Sequence, residues 1–232
     1  MHARTNVERV AIIFKCVPFL AHLVGGVKMG FWEKTKGFLL SPSETFNSVK
    51  DEDWGGSIGY FAKWQVIYTI LMTIIAAALM VWIRGLLLSW AGLYPEVDIA
   101  QITWLFDLFA GPMLIGWGVI SFISGLIGIL VGSLWMHIWV YVCGGRKGVG
   151  QTIKAMAYGS TPTLLLGWIP FVSIIFSIWS LVVQIIGFRQ LHEISTGRAV
   201  LAYIIAIAIP IIIFAIIWAV ILGVLLAMIP PR

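Results

Sequence analysis

The run Gly145-Arg146-Lys147-Gly148-Val149-Gly150-Gln151-Thr152 is the nearest the sequence comes to a phosphate-binding loop. Such a loop needs a Lys after its last glycine to reach the phosphates, and a strand ahead of it. Gln151 takes the Lys position and no strand precedes, so the run reads as a glycine-rich turn with Arg146 and Lys147 facing anionic headgroups. His137 lies in an apolar stretch where a proton relay would need an acidic partner, and no Asp or Glu falls in any apolar core. An interhelical hydrogen bond is therefore the role expected of both His137 and Gln184. An aspartyl intramembrane protease needs two intramembrane Asp, and a serine type needs a His on another helix. Ser121 and Ser133 share one helix with His137. There is no HExxH, nucleophile elbow or pair of carboxylates, and Cys16 and Cys143 have no CxxC partner. No catalytic residue, metal site or cofactor site is expected.

The elements that carry these residues follow from composition. The 232 residues are 60% hydrophobic and 11% charged, against roughly 25% charged in a soluble domain. So few charges cannot cover a soluble surface, which excludes a soluble enzyme domain, a disordered chain and a nucleic-acid-binding domain. An all-α, polytopic membrane bundle is left. The net charge of +5 belongs to loops that set topology, not to a nucleic-acid surface.

Residues 1–28 read as a poorly ordered N-terminal extension, or as upstream translation from a misplaced start. Lys15, Pro18 and His22 interrupt the apolar run there, and no signal-peptidase site follows. Residues 29–55 read as short interfacial helices, with Phe31, Trp32, Phe38, Leu39 and Leu40 interleaved with Lys34 and Lys36. Ser41-Pro42-Ser43-Glu44 predicts a second helix start, with Ser41 as N-cap and Glu44 reaching back to it. Asp51-Glu52-Asp53 and Gly55-Gly56 should end that helix. Residues 56–232 form the membrane domain, with five spans at about 62–91, 112–142, 152–168, 171–190 and 199–229. Residues 92–111 are expected as a loop. A single helix from Gln151 to Glu193 would be roughly 64 Å long at about 1.5 Å per residue, and Gly167-Trp168-Ile169-Pro170 breaks it. Pro210 should kink the last span.

Charge supports this division. Under five spans, thirteen of the fifteen Lys and Arg fall on one side, the positive-inside pattern. It predicts a cytoplasmic N-terminus and an outer C-terminus. Arg84 sits near the outer end of the first span, where it should snorkel outward or pair with Asp98 or Asp107. On the second span Gly118, Ser121, Gly125, Gly128 and Gly132 recur at alternating spacings of three and four. Small residues at that period form a helix-packing seam, within the bundle or in a homo-oligomer.

Two segments carry a resemblance. Tyr158-Gly159-Ser160-Thr161-Pro162 opens a span that closes at Pro170, and the next span ends in Gly187-Phe188-Arg189-Gln190-Leu191-His192-Glu193. Together with Phe38-Leu39-Leu40-Ser41-Pro42-Ser43-Glu44, this resembles the Yip1 domain family, in particular its prokaryotic and archaeal members, over roughly residues 29–228. The resemblance implies a five-span membrane protein with a cytosolic N-terminus. For eukaryotic members it implies Golgi and ER membranes and the binding of prenylated Rab GTPases; for prokaryotic members it implies a fold in the cell membrane. Asp107-Leu108-Phe109-Ala110-Gly111-Pro112 echoes an element of the eukaryotic members, here before the second span instead of the first.

The function expected is a non-enzymatic membrane scaffold. Its contact face would be cytoplasmic, built from residues 30–55, 144–154 and 188–198, with Arg146, Lys147, Lys154, Arg189 and Arg198 meeting anionic headgroups or a protein partner. The alternative is a small-solute transporter or channel, with a midplane site where Pro162 and Pro170 interrupt the helices.

Overall fold

The computed structural model describes residues 29–93 and 99–228. The expectations for residues 1–28 and Cys16 lie outside them. The chain divides into two compact units, 1–35 and 36–232. In the first, Thr35 Oγ1 donates to the Phe31 carbonyl at 3.0 Å, and the Phe31 and Trp32 rings meet edge-on at 5.3 Å.

The described residues form eight helices: α1 Phe31–Leu40, α2 Pro42–Ser48, α3 Trp54–Ala91, α4 Ile99–Val142, α5 Val149–Gly159, α6 Thr161–Leu166, α7 Val172–His192 and α8 Thr196–Ala227. Pro42 opens α2 as expected, but Ser41 makes no side-chain cap. Its carbonyl instead accepts from Thr45 Oγ1 at 2.9 Å. Gly55 and Gly56, expected as a stop, lie in the first turn of α3. Asp53 caps that helix, accepting from the Gly55 amide at 2.9 Å, and the cap outweighs two poor helix formers. The expected loop 92–111 is partly helix as well. α4 begins at Ile99 and runs through Pro112, because the sequence from Ile99 onward is apolar apart from Gln101, Thr103 and Asp107. Ser195 Oγ accepts from the Arg198 amide at 3.4 Å and so caps α8, which holds Pro210 within it.

Among the described residues four helical stretches are long and apolar enough to cross a membrane: Trp54–Trp90, Ala110–Val142, Val172–His192 and Thr196–Leu225. The expected third span, 152–168, is instead the two short helices α5 and α6, so helix length by itself does not give five crossings. The break has a local cause. Pro162 has no N–H to offer the Tyr158 carbonyl, and the Thr161 hydroxyl donates to it instead at 2.5 Å. Contacts pair Thr152 with His192 and Thr163 with Ser180, so α5 and α6 together run antiparallel to α7. Gln65 Nε2 donating to the Ser121 carbonyl joins α3 to α4, and Trp135 Nε1 donating to the Ala206 carbonyl joins α4 to α8.

The buried residues gather at one end. Phe38, Phe46, Tyr158, Phe188 and Leu191 are wholly buried, whereas Ile74, Leu79, Ile120, Ile175, Ile211 and Phe214 are exposed. Apolar side chains exposed along four long helices are what a hydrocarbon solvent requires. The chain is an all-α, multi-pass integral membrane protein.

Candidate functional site

Two features are built where α5 meets its neighbours: a charged end and, deeper in the bundle, a cavity. The charged end rests on an aromatic layer. The Phe38 ring stacks on Tyr158 at 4.7 Å and 17°, Tyr60 meets Tyr158 edge-on at 5.2 Å, and Phe46 tilts against Phe38 at 4.9 Å. Gly187 makes this possible. A Cβ there would lie 2.8 Å from Phe46 Cζ and 2.9 Å from Ala155 Cβ, so only glycine lets α2 and α5 approach α7 so closely.

Above the layer, α5 clasps the turn before α3. Tyr158 donates its hydroxyl to Glu52 Oε2 at 2.7 Å. Lys154, only 3% exposed, donates to the Lys50 carbonyl at 2.5 Å and the Glu52 carbonyl at 2.9 Å. Gln151 Nε2 also donates to the Lys50 carbonyl, at 3.4 Å.

Glu193 ties three segments together. It sits in the left-handed region, φ 57°, at the end of α7. It pairs with Lys50, and with Lys147 at 2.6 Å. Hydrogen bonds from Lys147 and Lys50 push its carboxyl down to about 2 from an ordinary 4.5. A depressed carboxyl adds stability that is complete above the ordinary value and is lost as pH falls through the lowered one. Carboxyl-carbon NMR should therefore find the Glu193 midpoint near 2 in the wild type and nearer the ordinary value in Lys147→Gln. A midpoint unmoved by that substitution would remove the tie.

Just inside the charged end, the Thr152 hydroxyl bridges two imidazoles, His137 Nδ1 at 2.8 Å and His192 Nε2 at 2.9 Å. Deeper still lies a cavity of about 380 Å³, lined by residues of α3, α4, α6, α7, α8 and the α5–α6 junction. Its walls include Ser160, Thr163, Ser177, Ser180, Gln184 and Tyr203. Gln184 Oε1 accepts from the Tyr203 hydroxyl at 2.7 Å, and Thr163 Oγ1 lies 2.8 Å from Ser180 Oγ.

The residues singled out in the sequence fall as follows. Gly118 faces Thr73, Gly125 takes the Gln65 side chain, and the Ser121 carbonyl accepts from Gln65, so this part of the seam packs α3. Gly128 borders the cavity. A Cβ at Gly132 would meet nothing within 4 Å. Arg146 lies over the Tyr141 ring at 3.7 Å. Arg146, Lys147 and Arg198 are exposed, Arg189 is half-buried, and Lys154 is buried, because its ammonium group holds backbone carbonyls. Gly144 and Gly148, at φ 102° and 92°, shape the turn between α4 and α5. Arg84 is half-buried in α3; the side chains of Asp98 and Asp107 lie outside the described ones. Pro170 lies in the turn before α7, followed by Phe171 at the cap position, and Cys143 is a free thiol. The cavity itself was not anticipated. The signal was present in Ser177, Ser180 and Gln184, spaced three and four apart along an apolar helix.

No curated protein and no solved structure matches the chain significantly. The family model of the Yip1 domain matches residues 36–221. That match takes in α2 to α7 whole, with most of α8, and so includes the aromatic layer, the broken α5–α6 pair and the cavity. The chain belongs to the Yip1 domain family.

Proposed function

We propose that this Yip1 domain protein is a non-enzymatic membrane scaffold whose charged end is a cytoplasmic docking surface for anionic headgroups and a protein partner. The observation that carries the reading is the tying of three separate segments, around Lys50, Lys147 and Glu193, into one surface. Arg146 and Arg198 stand exposed beside it, with Arg189 half-buried, and anionic lipid attracts such cations. In this reading the chain crosses the bilayer five times, with its N-terminus in the cytoplasm and its C-terminus outside. The antiparallel course of α5 and α6 along α7 supports counting that pair as a crossing. The membrane is the cell membrane in a prokaryote and the ER or Golgi in a eukaryote.

Capture of partners from native membranes, kept in native lipid, tests the surface. The triple variant Arg146→Gln, Arg189→Gln, Arg198→Gln should lose a partner that the wild type retains. Capture unchanged by all three substitutions would overturn the face assignment.

A second reading, movement of a small solute, is favoured by one observation: the cavity lies where the crossing helix is interrupted between α5 and α6.

A further inference from the structure

The cavity wall is more apolar than polar, and its polar groups are all neutral. Hydroxyls come from Ser160, Thr163, Ser177, Ser180, Tyr68 and Tyr203, an amide comes from Gln184, and none of the lining residues is charged. A charged ligand would lose its hydration with no counter-ion to replace it, a cost far above that of any single hydrogen bond. A neutral ligand carries no such cost.

The hydroxyls keep capacity to spare. Tyr203 donates to Gln184 and its oxygen can still accept. Gln184 Nε2 uses one hydrogen on Ser160 Oγ, at 3.4 Å, and has a second. Ser180 Oγ takes the Thr163 amide at 3.0 Å and the Thr163 hydroxyl at 2.8 Å. The lining also holds Phe61, Tyr68 and Tyr203, whose rings suit C–H groups. Hydroxyl and amide partners together with rings and aliphatic side chains in one wall suit a molecule that carries both hydroxyl and C–H groups. At about 380 Å³ the space is near the lower end of small-molecule sites. Gly128 on α4 and Ser177 on α7 are both exposed, so the cavity opens on that side of the bundle.

We propose that this cavity binds a neutral polyhydroxyl group, presented either as a free sugar or as the sugar headgroup of a glycolipid entering past Gly128 and Ser177. The proposal names a ligand class for the site on which the second reading rests, and binding does not require that the ligand be moved.

The test uses full-length protein in lipid nanodiscs. D-glucose binding is read by saturation-transfer NMR, and monoglucosyl diacylglycerol binding by native mass spectrometry, with phosphatidylcholine as the reference lipid. A Cβ at position 128 meets nothing within 4 Å, so Gly128→Leu should fold and fill the cavity, weakening binding by about tenfold or more. Gly132→Leu, one turn along the same face and outside the lining, should bind as the wild type does. Ser177→Val removes one exposed hydroxyl and serves if the leucine variant fails to fold. Saturable binding of glucose alone supports the free-sugar source, and binding of the glycolipid alone supports the headgroup source. Binding of neither by folded wild type, or equal binding by Gly128→Leu and Ser177→Val, overturns the proposal. Glucose counterflow in proteoliposomes separates the two claims: binding without counterflow keeps the site and removes the transport reading. Counterflow that survives Gly128→Leu removes the site.

Discussion

Tyr158→Ala is expected to cost about 4 kcal/mol of stability, the range for deleting a fully buried aromatic ring. The ring is 0% exposed and lies against Phe38 on one side and Tyr60 on another. Alanine would leave a void bounded by rings that belong to α1 and α3, and neither can collapse into it without pulling on its helix. Tyr158→Phe keeps the layer and deletes only the hydroxyl that meets Glu52 at 2.7 Å, for about 2 kcal/mol. Thermal unfolding in detergent ranks the three proteins. Trypsin cleavage at Lys50 shows where the loss falls, because the turn it cuts is held by α5. Equal stability of wild type and Tyr158→Ala would mean that the aromatic layer does not hold Phe38 and α2 against the bundle.

Lys154→Met should cost about 3 kcal/mol, the lower end for removing one partner of a buried charged contact. Methionine keeps most of the apolar stem, so the loss isolates the ammonium group and its two carbonyl partners. Those carbonyls belong to Lys50 and Glu52, and in the variant they would lie under α5 with weaker partners. Hydrogen exchange at amides 49–53 should accelerate while the amides of α7 stay protected. Uniform acceleration through both segments would mean that Lys154 supports the whole bundle instead of the turn.

Much of this was legible in the sequence. Helices need only apolar length and caps, so α7 and α8 lie close to their expected limits and α3 ends where expected, and Pro42 and Pro162 act where their chemistry predicts. Three things were not legible. Asp53 was read as part of a helix stop, although a carboxylate ahead of two glycines can equally be a cap; only the direction of its side chain decides. Lys154 was read as a surface cation, since charge in a loop gives no sign of burial, and it is buried because α2 and the turn after it fold over α5. The cavity needs residues from several elements, and their convergence is a property of packing. Of the small-residue seam, Gly118, Ser121 and Gly125 receive α3, whereas Gly128 borders empty space, a distinction that the regular spacing hides.

A five-pass bundle with its charged end in the cytoplasm puts the two ends of the chain on opposite sides of the membrane, and labelling each end reads that parity. In chains lacking Cys16 and Cys143, a single cysteine is placed at Lys36 or at Met228 and treated with a membrane-impermeant maleimide in intact cells. Position 228 should label before permeabilisation and position 36 only after it. Labelling of both positions in intact cells, or of neither until permeabilisation, would mean an even number of crossings and would rule out the five-pass bundle.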